Sequence, residues 1–258
     1  MGLLYRCSCG SPGSDSGSDL VVYHLTRRFY QKDWAFLFRR FVLRQFGPKK
    51  WEPATYRYLE RQSGRICVDV GANFGVYTRL LARRFKVVHA FEPDPFYLDK
   101  LKKLERMPGA NIWVHPLALS NQKGTASFFP FKKDPVQSMG TLLEKFDYKP
   151  GGSQTERVWI GKNPIQVETA TFDEIFPKTA VDLVKIDVEG AEFMVLEGMR
   201  LAFSEGRIQK VVVELHNREK KQDLEALLKW WFIRLRWLDP GHLMAQYPRI
   251  GLEEFEAS

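Results

Sequence analysis

The sequence predicts an α/β protein whose core is a seven-stranded, mostly parallel sheet with an antiparallel last strand. Short runs of β-branched and aliphatic residues alternate with amphipathic helical patterns along most of the 258 residues. A hydrophobic content of 44% is ample for one substantial core. The glycines behind the first buried run are typical of a tight turn from a strand into a helix.

The first strand and its turn are the segment around which the rest of the chain is organised. Residues 66–70 are apolar and mostly β-branched around Asp69, as expected of a strand buried on both faces. A helix is predicted from Gly75 to Phe85, and its first N–H groups point back at whatever lies across the turn. Asn73 stands where the dinucleotide fingerprint G-x-G-x-x-G has its second glycine, which makes NAD less suitable.

The second strand, residues 87–91, ends in an acid that suits a nucleoside ligand. Glu92 lies seventeen positions past Gly75, where a carboxylate can accept both hydroxyls of an adenosine ribose. Asp69 suits a ligand with positive charge, and S-adenosylmethionine carries an ammonium and a sulfonium. Each acid alone is equally well explained as a helix cap or a surface residue. Their position at the tips of consecutive strands favours the ligand.

Five sequence blocks together form a specific pattern, whereas any single block is weak. They are Val68 to Thr78, Phe91 to Pro95, Ala118 to Ser120, Thr171 to Ile175 and Val184 to Glu192. This set resembles the FkbM-type class I methyltransferases that use S-adenosylmethionine, over roughly Trp51 to Pro248. The resemblance implies a Rossmann-like class I methyltransferase fold with S-adenosyl-L-methionine as the cofactor.

An insert within residues 121–172 interrupts the alternation of strands and helices. The runs 125–131 and 165–172 alternate apolar and polar residues, which predicts the two strands of an inserted hairpin. Residues 138–140 and 149–153 mark a long loop between them, of the kind that often acts as a lid or a specificity element. We expect this insert to select the methyl acceptor.

The remaining elements complete the predicted sheet. Each follows from a buried apolar run or from an amphipathic helical pattern. Lys185 points into the sheet and needs a carboxylate partner, for which Asp187 on the same side of its strand is suitable. The elements are helices at 51–61, 94–107, 190–199 and 219–231, strands at 112–116, 181–187 and 211–215, and a final antiparallel pair at 232–238 and 242–247.

The first nineteen residues are rich in Gly, Ser and Asp, and we predict a flexible tail because they lack apolar periodicity. Cys7 and Cys9 form a lone C-x-C and Cys67 lies in the first strand, so we expect no disulfide or metal role, and a reducing compartment fits. No apolar run resembles a signal peptide or a membrane span. A cytoplasmic location is the resulting expectation.

Residues 20–64 are predicted to form a basic, aromatic helical extension that precedes a catalytic domain at 65–258. Aromatic and aliphatic residues from Tyr30 to Phe41 follow helical spacing. Met1 to Gly64 contains eleven Lys and Arg against five Asp and Glu, so +6 of the net charge of +8 lies here. This asymmetry fits RNA, an anionic glycan or a membrane surface. A solvated helix face, with basic side chains lying over aromatic ones, is the interpretation we favour.

The predicted site residues lie at strand tips and in turns. Glu189 also suits a helix N-terminus and His216 a structural role, while Trp51 and Glu52 also suit an ordinary helix start. No metal is expected, although Asp187 with Glu214 or Asn217 is an alternative magnesium site. We assign catalysis to Asp187, Glu189 and His216, the substrate to Trp51, Glu52 and Glu214, and the cofactor to Asp69, Gly71, Ala72, Asn73, Gly75, Thr78, Glu92, Pro93, Ala118, Leu119 and Asp187, where Ala118 and Leu119 flank the adenine by resemblance.

The sequence thus predicts an S-adenosylmethionine-dependent methyltransferase. The expected reaction is O-methylation of a sugar, a glycolipid or another small hydroxylated metabolite, with a small-molecule or glycan acceptor as the partner. An RNA methyltransferase that uses the basic extension is the second choice. A non-catalytic nucleoside-binding or scaffold protein is an alternative of another class.

Overall fold

The computed structural model describes residues 52–132, 138–148, 157–160 and 163–247. The chain divides into two compact units, Met1–Gly47 and Pro48–Ser258. All described residues belong to the second unit. The predicted tail 1–19, most of the extension 20–64, with Trp51, and the loop residues 149–153 lie outside the described residues.

Helices and strands alternate along the described chain. A 3₁₀ turn at Arg218–Lys220 precedes the last helix. The helices are α1 (Pro53–Glu60), α2 (Val76–Ala82), α3 (Pro95–Glu105), α4 (Phe172–Ile175), α5 (Glu192–Glu197), α6 (Arg200–Ser204) and α7 (Lys221–Lys229). The strands are β1 (Gly64–Val70), β2 (Phe85–Phe91), β3 (Ile112–His115), β4 (Ala118–Leu119), β5 (Gly124–Lys132), β6 (Ser138–Thr141), β7 (Lys145–Tyr148), β8 (Arg157–Ile160), β9 (Ile165–Ala170), β10 (Leu183–Ile186), β11 (Lys210–Glu214), β12 (Arg234–Trp237) and β13 (His242–Gln246).

The main sheet has seven strands in the order β12-β13-β11-β10-β1-β2-β3. The five strands from β11 to β3 run parallel, and β13 is antiparallel to both of its neighbours. This arrangement confirms the predicted seven-stranded sheet and its antiparallel strand. Because β13 runs backwards, its first residue, His242, pairs with Glu214 at the end of β11. Residues from the start of β13 therefore reach the same edge as the tips of the parallel strands.

The core covers both faces of the sheet, as the run of apolar residues in β1 predicts. Val68 and Val70 pack in the larger cluster with Ile186 and Val213. Cys67, on the opposite face, packs in a second cluster with residues of α1 and α2. Burying β1 on both faces fixes its position, and with it the turn that leaves its carboxyl end.

The insert forms a small sheet of its own. β5 pairs with β9 antiparallel, which confirms the predicted inserted hairpin, and the order of this sheet is β4-β9-β5-β6. The prediction of a loop at residues 138–140 was wrong, because they form β6 beside β5. A Cβ added at Gly140 would lie 2.1 Å from Cζ of Phe128, so the glycine serves close packing here instead of a turn.

Two helix boundaries also differ from those predicted. α2 ends at Ala82, and Phe85 is the first residue of β2 instead of the last residue of the helix. The strand predicted to reach Phe172 ends at Ala170, because Thr171 and Glu174 form a capping box that starts α4. Among the described helices, none combines the length and apolar character needed to cross a membrane.

Candidate active site

An open cavity lies at the carboxyl edge of the parallel strands. In open α/β sheets, ligands bind at this edge. The insert contributes one wall through β5, β6 and the residue after β6. The lining residues are Val70, Gly71, Asn73, Phe91, Glu92, Pro93, Tyr97, Leu117, Ala118, Leu119, Phe128, Gly140, Thr141, Leu142, Asp187, Val188, Glu189 and Ala191.

The turn after β1 brings the backbone close to the cavity. Gly71 has φ 78°, and a Cβ at this position would lie 1.8 Å from the carbonyl oxygen of Asp187. Only glycine satisfies both constraints. The N–H groups of Gly71 and Ala72 donate to the carbonyl oxygen of Phe91, each at 3.0 Å. The turn is therefore bound to the end of β2 and lies directly against the end of β10.

Glu92, at the tip of β2, presents a buried carboxylate to the cavity. It is 5% exposed. Its Oε2 accepts the N–H of Asn73 at 2.8 Å and its Oε1 accepts the N–H of Asp94 at 2.9 Å. Burial raises the pKa of Glu92 to about 8, although the two backbone donors act in the opposite direction. Both oxygens retain a lone pair, so the residue fits the two hydroxyls of a ribose.

Asp69 and Thr78 lie behind the turn. Both are fully buried, and the Thr78 hydroxyl donates to Oδ2 of Asp69 at 2.6 Å. Neither residue lines the cavity, and the same is true of Ala72 and Gly75. The direct cofactor contact expected for these four residues stays a prediction. The geometry gives Asp69 and Thr78 a different role, that of holding the start of α2 against the end of β1.

Lys185 connects this buried pair with the cavity wall. Its Nζ lies 3.0 Å from Oδ2 of Asp187 and 3.7 Å from Oδ1 of Asp69. Burial alone would lower the pKa of Lys185, but the two carboxylates raise it above its ordinary value. The predicted carboxylate partner of this lysine is therefore present, and it orients Asp187.

The three residues predicted to be catalytic lie together. Nε2 of His216 is 3.0 Å from Oε2 of Glu189, 3.7 Å from Oε1 of Glu214 and 3.9 Å from Oδ1 of Asp187. Burial alone would lower the pKa of His216, but Glu189 and the neighbouring carboxylates raise it well above its ordinary value. Burial and the charge of Glu214 raise the pKa of Asp187 to about 7. The group can hold a cation or orient a hydroxyl.

Two residues that contact the group around His216 and Glu214 were not predicted from the sequence. Glu192, 1% exposed, pairs with Nδ1 of His216 at 2.8 Å through Oε1. His242 places Nε2 at 3.2 Å from Oε2 of Glu214 and Nδ1 at 2.8 Å from Oδ1 of Asp239. The antiparallel pair predicted at the end of the chain contained the signal for His242, because the first residue of its second strand must lie opposite the tip of β11.

Glu52 and Glu214, two of the predicted substrate residues, lie near His242. Oε2 of Glu52 is 3.5 Å from Nε2 of His242 and accepts the hydroxyl of Tyr77. Neither acid lines the cavity, but Glu214 contacts His216, which adjoins it. The third predicted substrate residue, Trp51, lies outside the described residues. The predicted cofactor residues that line the cavity are Gly71, Asn73, Glu92, Pro93, Ala118, Leu119 and Asp187.

Known proteins are similar to this chain over the region that contains the cavity. The profile of the Methyltransferase FkbM domain matches residues 69–236. Hexuronic acid methyltransferase AglP of Haloferax volcanii is 31% identical over 173 residues, covering 66% of this chain and 63% of that protein. 2-O-methyltransferase NoeI of Sinorhizobium fredii is 26% identical over 228 residues, covering 82% of this chain and 88% of that protein.

Among solved structures, a methyltransferase FkbM from Methylobacillus flagellatus is similar to this chain with a TM-score of 0.48 and 21% identity. The similarity covers 72% of this chain and 44% of that one. The chain thus spans less than two thirds of the length of the archaeal relative and of this solved structure. The family profile covers more than half of the chain, and it includes the glycine turn, Glu92 and the tips of β10 and β11. This protein is a member of the FkbM methyltransferase family, with the predicted Rossmann-like fold.

Proposed function

We propose that this protein is an S-adenosylmethionine-dependent O-methyltransferase whose acceptor is a sugar or another small hydroxylated compound. The observation that carries the proposal is the buried carboxylate of Glu92 at the tip of β2, facing a cavity next to the Gly71 turn. The names of two relatives, a hexuronic acid methyltransferase and a 2-O-methyltransferase, support a sugar acceptor.

Each wall of the cavity has a part in binding the cofactor. Glu92 accepts the ribose hydroxyls, and the bonded turn at Asn73 fixes its carboxylate for that contact. Ala118 and Leu119 provide an apolar surface for the adenine. Asp187 borders the methionine end, where Lys185 fixes its orientation. When bound, the cofactor supplies an electrophilic methyl group on its sulfonium sulfur. The neutral thioether that remains after the methyl transfer is a good leaving group.

The protein's contribution to such a reaction is alignment and the exclusion of water. Glu189 and His216 lie beside Asp187, where they orient the acceptor hydroxyl toward the cofactor. The insert places Phe128, Gly140 and Leu142 along the cavity. We therefore assign acceptor selection to the insert, because its residues face the ligand but lie outside the sheet that binds the cofactor.

The test has two parts. Calorimetry of the full chain with S-adenosylmethionine measures cofactor binding directly. Transfer of a radiolabelled methyl group into a size-fractionated cell extract, with and without ribonuclease, then identifies the acceptor class. We expect binding of the cofactor and label in a ribonuclease-resistant fraction of low mass or glycan character. Label that ribonuclease removes would instead identify an RNA methyltransferase.

The charge of the N-terminal segment is the observation that favours this second candidate. Eleven basic and five acidic residues lie in Met1 to Gly64. A filter-binding assay with tRNA across a salt series separates the two functions, because several phosphate contacts give a steep salt dependence. Cofactor binding without methyl transfer to any fraction would favour a non-catalytic nucleoside-binding protein.

A further inference from the structure

Several carboxylate oxygens converge on one ring nitrogen of His216. Oxygens of three carboxylates, from Asp187, Glu189 and Glu214, face one imidazole nitrogen at 3.0 to 3.9 Å. The ligand atoms of Asp187, Glu214 and His216 all lie within 4.8 Å of one another. Neighbouring ligands around a small divalent cation are roughly 3 to 4 Å apart. The spacing matches that of a coordination shell.

Asp187 and Glu214 each have one carboxylate oxygen bound elsewhere and one that faces His216. Oδ2 of Asp187 is bound by Lys185 at 3.0 Å, and Oε2 of Glu214 is bound by His242 at 3.2 Å. The opposite oxygens, Oδ1 and Oε1, are the ones that face His216.

Glu189 lies beside this set, with its Oε2 at 3.0 Å from Nε2 of His216. One imidazole N–H can donate well to only one of the three oxygens. The oxygens of Asp187 and Glu214 lie farther from Nε2, at 3.9 and 3.7 Å. A divalent cation can contact both of these oxygens and the imidazole at once, because the three ligand atoms lie within 4.8 Å of one another.

His216 is also held as metal-binding histidines are. Its Nδ1 pairs with the buried carboxylate of Glu192 at 2.8 Å, and Oε1 of Glu192 also accepts the N–H of Gly190 at 2.7 Å. This contact fixes the ring, so that Nε2 points at the three oxygens. A carboxylate on the outer nitrogen is the usual support of a histidine ligand.

We propose that His216, Asp187 and Glu214 form a divalent cation site, with Mn²⁺ as the fitting ion. Two carboxylate oxygens and one imidazole nitrogen combine a hard oxygen set with a single nitrogen, which suits Mn²⁺ better than Mg²⁺. The neighbouring set of Glu52, Glu214 and His242 is a weaker candidate. Its Glu52 oxygen accepts the Tyr77 hydroxyl and its Glu214 oxygen is bound by His242.

The role of the ion rests on the proposed function, whereas its binding does not. Asp187 and Glu189 line the cavity, so the ion lies beside the space for the acceptor. Three protein ligands leave three positions of an octahedral shell, and two neighbouring hydroxyls of a sugar can occupy two of them. The site would thereby select acceptors with adjacent hydroxyl groups and orient one of them.

The experiment measures Mn²⁺ binding alone. The full chain is treated with a chelator, desalted and titrated with MnCl₂, and free Mn²⁺ is followed by electron paramagnetic resonance. We expect one ion per wild-type chain. Glu214→Gln and Asp187→Asn should each weaken binding by about tenfold or more, and Asp99→Asn, a change at an exposed carboxylate on α3, should leave it unchanged.

Thermal unfolding of each metal-free variant separates loss of the site from loss of the fold. If Glu214→Gln does not fold, Asp187→Asn carries the test, because Asp187 lies just beyond the end of β10. Absence of binding to the wild type would overturn the proposal, as would several weak ions that both variants retain. Calorimetry with S-adenosylmethionine on the same preparation tests the proposed function separately, so failure of one is distinguishable from failure of the other.

Discussion

At the scale of single residues, Glu92 has the most direct consequence for ligand binding. Its carboxylate is buried and already accepts two backbone N–H groups. Replacing Glu92 with Ala should weaken S-adenosylmethionine binding by about 1 to 3 kcal/mol, because a buried contact with the ribose is lost. Calorimetry measures the change, and unchanged affinity would remove Glu92 from the site.

The raised pKa of Glu92 adds a pH dependence with a definite sign. The ribose hydroxyls donate best to the ionised carboxylate, whose pKa is about 8 in the folded protein. Cofactor affinity should therefore increase as the pH rises from 6 through 8 and then level off. In the ligand-free protein, the same shift makes Glu92 lower the stability as the pH rises from about 4.5 to 8. Glu92→Gln should abolish both effects, and a persisting slope in this variant would assign them to another group.

Gly71 is the residue whose side chain the turn cannot accommodate. Gly71→Ala combines a left-handed backbone with a Cβ 1.8 Å from the carbonyl oxygen of Asp187. We expect a loss of roughly 2 to 5 kcal/mol in the free energy of unfolding. Gly109→Ala is the matched control, because Gly109 has φ 72° and nothing within 4 Å of the added Cβ. It should cost only the backbone term of roughly 1 to 2 kcal/mol. If urea denaturation gives equal losses of unfolding free energy for the two variants, the turn rearranges to accommodate the added Cβ.

At the scale of elements, most strands of the sheet can be predicted from the sequence. The contacts between those strands cannot. The buried run before Asp69 and the turn at Gly71 follow from local pattern, and so does the order of strands and helices. β6 was missed because the packing of Gly140 on Phe128 is a contact between strands that no local pattern contains. His242 was missed because its role depends on the register of β13 against β11. Periodicity assigns a residue to a strand, whereas a site requires knowledge of which strand tips adjoin.

The neighbouring strands β2 and β3 carry a histidine pair that should control stability in acid. Nδ1 of His89 lies 3.0 Å from Nε2 of His115, and burial, with the charge of His115, lowers the pKa of His89 to about 4. The unfolded chain therefore binds more protons between pH 6.5 and 4, so this pair stabilises the fold above pH 6.5 and the contribution is lost as the pH falls.

Replacing His89 with Gln should reduce this acid sensitivity. Between pH 7 and pH 5 the wild type should lose roughly 1 to 2 kcal/mol more of its unfolding free energy than the variant, after allowance for solvent screening. Urea denaturation at the two pH values measures the difference. A wild type and a variant that lose the same amount would show that His89 is charged, or remains solvated, in the folded protein.

At the scale of the whole molecule, the compact unit begins at Pro48, before the first strand. Leu59 of α1 is fully buried in a cluster with Leu81 and Val88. The hydroxyl of Thr55 donates to Oδ2 of Asp239 at 2.6 Å, which ties α1 to the segment before β13. The end of the predicted extension is therefore part of the core. Glu52, just before α1, also contributes its carboxylate to the group around His242.

Two truncated chains test this boundary. A chain that starts at Pro48 should unfold cooperatively and bind S-adenosylmethionine as the full chain does, because the described residues that line the cavity all lie beyond it. A chain that starts at Arg65 exposes the surface that Leu59 covers and loses the Thr55 contact. It should be less stable by about 3 kcal/mol or more, since removing a single buried leucine side chain costs about 2 to 5 kcal/mol. Chemical denaturation gives both values. Equal stability of the two chains would show that α1 contributes nothing to the core, and weaker cofactor binding by the longer one would give Met1–Gly47 a part in the site.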